Sequence, residues 1–114
     1  MQNIPNTTQA DLPATQIGCI AGAMAILSAK WTPLVIKSLA QGPRRFSELE
    51  RDIEGINPRI LTQRIDFLEE KGIVQVTCTC TAQRPVYELT EKGRDLIPVL
   101  RSMADWGQRH QTCC

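Results

Sequence analysis

The stretch that decides the fold is Ile56-Asn57-Pro58-Arg59-Ile60-Leu61-Thr62-Gln63-Arg64-Ile65-Asp66-Phe67-Leu68-Glu69-Glu70-Lys71-Gly72. It reads as a helix with both ends marked. Asn57 can cap the first free N–H groups, and Pro58 fits the first helical position because its missing N–H would be unpaired there. Gly72 suits the left-handed residue that closes a helix, with Lys71 favourably placed in the last turn. At about 100° per residue, Ile60, Leu61, Ile65, Phe67 and Leu68 share one side. Arg59, Thr62, Gln63 and Asp66 lie opposite, where a core-facing helix usually carries Lys and Glu. That face begins with side chains that can read base edges and touch phosphates, so the stretch is expected to be the recognition helix of a DNA-binding protein.

Working outward supplies a scaffold for it. Upstream, Ser47-Glu48-Leu49-Glu50 has the form of a capping box, with Phe46 placed as a hydrophobic staple. The short helix it predicts, about 48–53, is broken by Glu54-Gly55, and two helices joined by a tight turn form a helix-turn-helix. Downstream of Gly72 the apolar period changes from 3.6 to 2. Ile73, Val74 and Val76 lead into the β-branched run Thr77-Cys78-Thr79-Cys80-Thr81, and Val86-Tyr87-Glu88-Leu89 returns. A hairpin in that place is a wing.

The outer segments are more apolar than a small monomer needs. The run 17–27 is apolar on every side, which requires burial all round. Ser28 to Trp31 form a turn, and Thr32 is expected to cap a helix with Pro33 first, ending at Gly42-Pro43. Arg44 and Arg45 follow, exposed in the connection. Thr90 caps a last helix, 91–108, whose apolar stripe includes Leu96, Ile97, Val99, Leu100, Met103, Ala104 and Trp106. Pro98 should bend it. The expected fold class is mainly α with a small β-hairpin: a winged helix-turn-helix that forms a homodimer through its N- and C-terminal helices. Residues 1–16 read as a flexible arm, 17–110 as the folded domain with dimerisation helices 17–28 and 91–108, and 111–114 as a frayed, Cys-containing tail.

With 114 residues, 42% hydrophobic and 22% charged, the chain has the composition of one ordinary globular domain. Its net charge of +1 is low for a nucleic-acid binder, so the placement of charge matters more than the sum. No run approaches the roughly 18 apolar residues of a membrane span, and no signal peptide is evident. A cytoplasmic protein is expected, with no membrane association. An enzyme is not: the one histidine lies in the tail, and no nucleophile–base pair or phosphate loop can be assembled. No cofactor is implied. Cys78-Thr79-Cys80 could be half a metal site with Cys113, Cys114 or His110, but the spacing matches no zinc pattern, and no metal is expected.

Several spaced motifs carry a family resemblance. Lys30-Trp31-Thr32-Pro33-Leu34, Gly42-Pro43-Arg44-Arg45-Phe46-Ser47-Glu48-Leu49, Leu61-Thr62-Gln63-Arg64, Leu68-Glu69-Glu70-Lys71-Gly72 and Tyr87-Glu88-Leu89-Thr90-Glu91-Lys92-Gly93 occur in order. Over about 19–107 the chain resembles the HxlR family of bacterial winged-helix transcriptional regulators. The resemblance implies a homodimer on near-palindromic double-stranded DNA, acting as repressor or activator. It also implies that a small reactive electrophile or oxidant could be the effector, sensed at Cys19, which falls at the family's position just before the first helix. Where the family usually has proline next, this chain has Ile20. Gln75, Val76 and Thr77 make the wing less cationic than is usual, while Arg84 matches the basic residue near its end.

The candidate DNA contacts are Arg44, Arg45, Asn57, Arg59, Thr62, Gln63 and Arg84. Arg59 could pair with guanine O6 and N7, and Gln63 with adenine N6 and N7. Thr62 could touch a thymine methyl or a phosphate; Arg44, Arg45 and Arg84 are candidates for phosphates. Arg64 falls towards the apolar side, where its head is expected to pair with a carboxylate. The candidate thiols are Cys19, placed to feel a helix N-terminus, and Cys113 and Cys114 as resolving partners. The competing reading is a winged-helix protein-interaction module without specific DNA binding, favoured by the low net charge.

Overall fold

A computed structural model describes residues 12–78 and 84–111. Its elements run α1 (Ala14–Leu27), α2 (Thr32–Ala40), β1 (Arg44–Arg45), α3 (Phe46–Asp52), α4 (Pro58–Glu70), β2 (Val74–Cys78), β3 (Pro85–Leu89), α5 (Glu91–Arg94) and α6 (Leu96–Arg109). This is a winged helix-turn-helix, mainly α with a small sheet. The sheet has three strands, not two, in the order β1-β3-β2. Arg44 pairs with Tyr87 and Arg45 with Val86, and β2 runs antiparallel to β3 from Val74 opposite Leu89 to Cys78 opposite Pro85.

One core holds the helix-turn-helix and the sheet together. Val35, Ile36 and Leu39 of α2, Leu49 of α3, Ile53 and Ile56 of the turn, and Leu61, Ile65 and Leu68 of α4 are buried with Ile73, Val74 and Leu89. Ile60 and Phe67 pack at its margin. The period-3.6 reading of α4 therefore matches its burial. The core is closed at the junction of α4, β2 and α5. Gly93 is needed there, because a Cβ on it would collide with the carbonyl oxygen of Ile73.

Several local expectations are corrected. The first helix begins at Ala14, three residues inside the expected arm, with Pro13 before it. The cap of α2 is Trp31, held at φ 80°, and not Thr32, whose side chain is fully buried and whose hydroxyl has no hydrogen-bond partner among the described residues. The cap of α3 is Arg45, not Ser47. Glu48 reaches back to the Arg45 N–H at 2.8 Å. Arginine has no acceptor to complete a capping box, so only this return bond forms. The last helix is divided in two at Asp95, a residue that keeps helical dihedrals. Pro98 cannot donate to the carbonyl four residues back and crowds it.

The terminal helices leave apolar surface uncovered. α1 meets α2 at 82°, and only its end, at Leu27, is buried. Ile17, Ile20 and Met24 on α1, and Val99, Met103 and Trp106 on α6, are each 43–55% exposed. The radius of gyration is 16.9 Å, against about 13 Å for a compact domain of this length. Among the described residues, no single helix is long and apolar enough to cross a membrane.

Candidate nucleic-acid interface and thiol site

The helix-turn-helix consists of α3, the turn 53–57 and α4. Buried Ile53 and Ile56 anchor the turn. At the start of α4 the Asn57 Oδ1 accepts the Ile60 N–H at 2.9 Å, and Pro58 follows. The helix ends in a double closure. Gly72, at φ 78°, donates its N–H to the Glu69 carbonyl at 3.0 Å, and Ile73 donates to the Leu68 carbonyl at 2.8 Å. Those two bonds form a Schellman motif, and buried Leu68 and Ile73 supply its apolar contact.

Two more residues fasten that end to the following element. The Lys92 ammonium donates to the Lys71 carbonyl at 2.8 Å. The Thr90 hydroxyl lies within hydrogen-bond distance of the Gly72 and Ile73 carbonyls and accepts the Gly93 N–H at 3.0 Å. The α4 C-terminus and the α5 N-terminus thus form one knot. Thr90 is legible in the sequence as a cap; Lys92 is not, because its acceptor is 21 residues away.

A helix fixed at both ends holds its outer face in place. Arg59, Thr62, Gln63 and Asp66 are all exposed on that face. Asn57 is exposed at its head, though its Oδ1 is already engaged by the cap. Arg64 lies with its guanidinium 5.4 Å from the Phe67 ring centroid. Among the described residues no carboxylate comes within ion-pair distance of it, so its neighbour is an aromatic face and not the expected acid.

The arginine pair before α3 splits into two roles. Arg44 is half-buried and bound inward: Nε lies 3.0 Å from Asp52 Oδ2, and its other nitrogens reach the Pro43 carbonyl and the Gln41 side chain, each at 3.2 Å. Ser38 donates to the same Asp52 oxygen at 2.8 Å. The Ser38 hydrogen bond, then the Arg44 hydrogen bond, hold the Asp52 carboxyl below its ordinary value. This cluster joins α2, β1 and α3. Arg45 instead is exposed. Its pairing with Val86 places it beside the β3 end of the wing, near exposed Arg84. On the wing's stem, Gln75 and Glu88 pair across the strands at 3.0 Å.

A sequence model of HxlR-like helix-turn-helix proteins matches residues 26–113. The chain belongs to the HxlR-like helix-turn-helix family. It is a helix-turn-helix transcriptional regulator of the HxlR type. The HTH-type regulator YvaP of Bacillus subtilis is 36% identical over 85 residues, 74% of this chain and 79% of YvaP. The HTH-type regulator YodB of the same organism is 34% identical over 88 residues, 76% of this chain and 79% of YodB. Among solved structures, reduced YodB superposes with a TM-score of 0.77 at 30% identity, covering 87% of this chain and 94% of that one. The redox regulator HypR in its reduced form superposes with a TM-score of 0.72 at 30% identity, covering 81% and 92%. YodB has also been solved diamide-treated and quinone-bound, and HypR oxidised.

The thiol site differs from expectation in its placement. Cys19 is exposed and free, but it lies in the second turn of α1 and not just before a helix. On the helical wheel Cys19 shares the side of Ala23 and Ile26, which turns towards the body one and two turns later. Cys80, Cys113 and Cys114 lie outside the described residues.

Proposed function

We propose that this HxlR-type regulator acts as a cytoplasmic homodimer on near-palindromic operator DNA, without catalytic activity of its own, and that it responds to oxidants or electrophiles through Cys19. The carrying observation is the exposed Arg59–Thr62–Gln63 face on a helix fixed at both ends. Arg59 and Gln63 read bases from the major groove, Thr62 adds a methyl or phosphate contact, and Arg45 and Arg84 hold phosphates on the wing side. Asn57 offers its amide nitrogen to the backbone at the helix head. Arg44, already paired with Asp52, contributes mainly by positioning Arg45. Asp66 marks where the helix leaves the groove.

The uncovered apolar residues of α1 and α6 support pairing through these two helices. The oxidant- and quinone-treated forms of YodB, and the two redox forms of HypR, support a thiol response. Diamide would take two electrons and two protons from the Cys19 thiol and a second thiol, Cys113 or Cys114 of the twin chain, leaving a disulfide. A quinone would add to the Cys19 sulfur directly. Either product alters the α1 contact and so the spacing of the two α4 helices. A gel shift on the protein's own upstream region, with and without diamide, tests this. Cys19→Ser should bind DNA normally and lose the response; an undiminished response in that variant rules Cys19 out.

A further inference from the structure

α2 and α6 enclose an open cleft of about 490 Å³, within the size range of small-molecule sites. Pro33, Ile36 and Ala40 form one wall; Ile97 and Leu100 form the other. Lys37 and Arg101 stand at its edge. Neither is ion-paired among the described residues. The walls would take an apolar body, and the two cations would take one negative charge.

We propose that this cleft binds a small amphipathic organic acid, an aromatic or branched carboxylate, with its carboxylate set between Lys37 and Arg101. A second copy of the chain fits the cleft less well. Counted at about 100° per residue, Ile97 and Arg101 lie well away from Val99 and Trp106, which are exposed on another side of α6. Met103, the third residue of the stripe, lies one turn from Leu100, so the stripe borders the cleft on α6; the cleft differs in carrying two unpaired cations, which an apolar helix would strand. Its walls belong to the reading unit (α2) and to the projecting helix (α6), so an occupant would bias the angle between them.

The test uses the full chain, 2-naphthoate and its neutral counterpart 2-naphthamide, followed by calorimetry and amide NMR. The acid should bind, shift α2 and α6 resonances, and bind about tenfold more tightly than the amide, the difference expected of a charge-assisted contact. Lys37→Gln with Arg101→Gln should erase that preference. Ala40→Phe, at an exposed position on the cleft wall, should block binding and leave the sedimentation behaviour unchanged. Equal binding of acid and amide, shifts confined to other elements, or no binding at millimolar acid would each overturn the proposal. So would a change of oligomeric state in Ala40→Phe, which would assign the cleft to a second copy.

Discussion

The Lys92 ammonium caps the Lys71 carbonyl at 2.8 Å, so the end of the reading helix is held by the element that leads into α6. Thr90, two residues earlier, repeats the attachment through its hydroxyl. The α4 C-terminus and the α5 N-terminus are therefore joined by side-chain hydrogen bonds as well as by the chain of the wing. Thr90→Ala removes a helix cap and the hydroxyl's bond to the Gly72 carbonyl, while the Ile73 carbonyl keeps the backbone N–H of residue 90. The change should cost about 1–2 kcal/mol, measured by urea denaturation. Lys92→Met, an exposed change, should cost about 0.5 kcal/mol or less.

Gly93→Ala tests the same junction by sterics. The new methyl would overlap the Ile73 carbonyl oxygen and press on the Ile73 and Leu89 side chains. Backbone cannot move aside as a flexible side chain can. The variant should lose at least about 2–3 kcal/mol, seen as a fall in the denaturant midpoint.

Acid should loosen the cluster around Asp52. Its carboxyl is held below the ordinary value of 3.8, first by Ser38 and then by Arg44. A group depressed in the folded state adds stability that is full above its unfolded value and is lost as pH falls through its folded value. Thermal midpoints measured from pH 6 down to pH 3, in steps of about half a unit, should therefore fall more steeply in the wild type than in Asp52→Asn. Parallel curves would mean that the cluster contributes nothing.

The uncovered stripes on α1 and α6 predict the effect of placing charge there. Met24→Glu and Met103→Glu each put a carboxylate into a surface proposed to be buried between copies, at a cost of several kcal/mol. Both positions are exposed in the single chain, so its fold should survive. Sedimentation should show monomers with native circular dichroism. A persistent dimer in both variants would place the interface elsewhere.

Much of this was legible locally. Asn57, Pro58 and Gly72 mark the ends of α4 by chemistry that acts within four residues, and Leu61, Ile65 and Leu68 repeat at helical spacing, so bounds and buried face could be read together. What escaped was set by distant partners. β1 is two residues long and exists because Arg44 and Arg45 lie against Tyr87 and Val86. Arg45 is thereby the cap of α3 in place of Ser47, and Arg44 is bound by Asp52, Gln41 and the Pro43 carbonyl. Trp31 adopts a left-handed backbone that no local pattern announces. Pro98 is legible as a position that disturbs the last helix, but the residue at which the helix divides, Asp95, is not.

The candidate site follows the same division. The exposure of Arg59, Thr62 and Gln63 could be read from α4 alone, because a helix with one buried side has one free side. The contrast between Arg44 and Arg45 could not, since it depends on Asp52 in another element. The Cys19 environment was misplaced because Pro13, and not the apolar run, sets the start of α1.

The reading face also predicts two distinct kinds of binding loss. Arg45→Ala removes a proposed phosphate contact, and should weaken binding to all sequences alike and lower the salt slope by about one. Gln63→Ala removes a proposed base contact, and should cost about 1–3 kcal/mol on the preferred site and relax the choice of base there. Titrations at several salt concentrations, on operator and on scrambled DNA, separate the two.

The most direct test of the account is a hydroxyl-radical footprint of the wild type and of Arg59→Ala on the protein's own promoter. The account predicts two protected half-sites about one helical turn, roughly 34 Å, apart, with the base preference lost in the variant. Unchanged affinity and unchanged specificity in Arg59→Ala would contradict it.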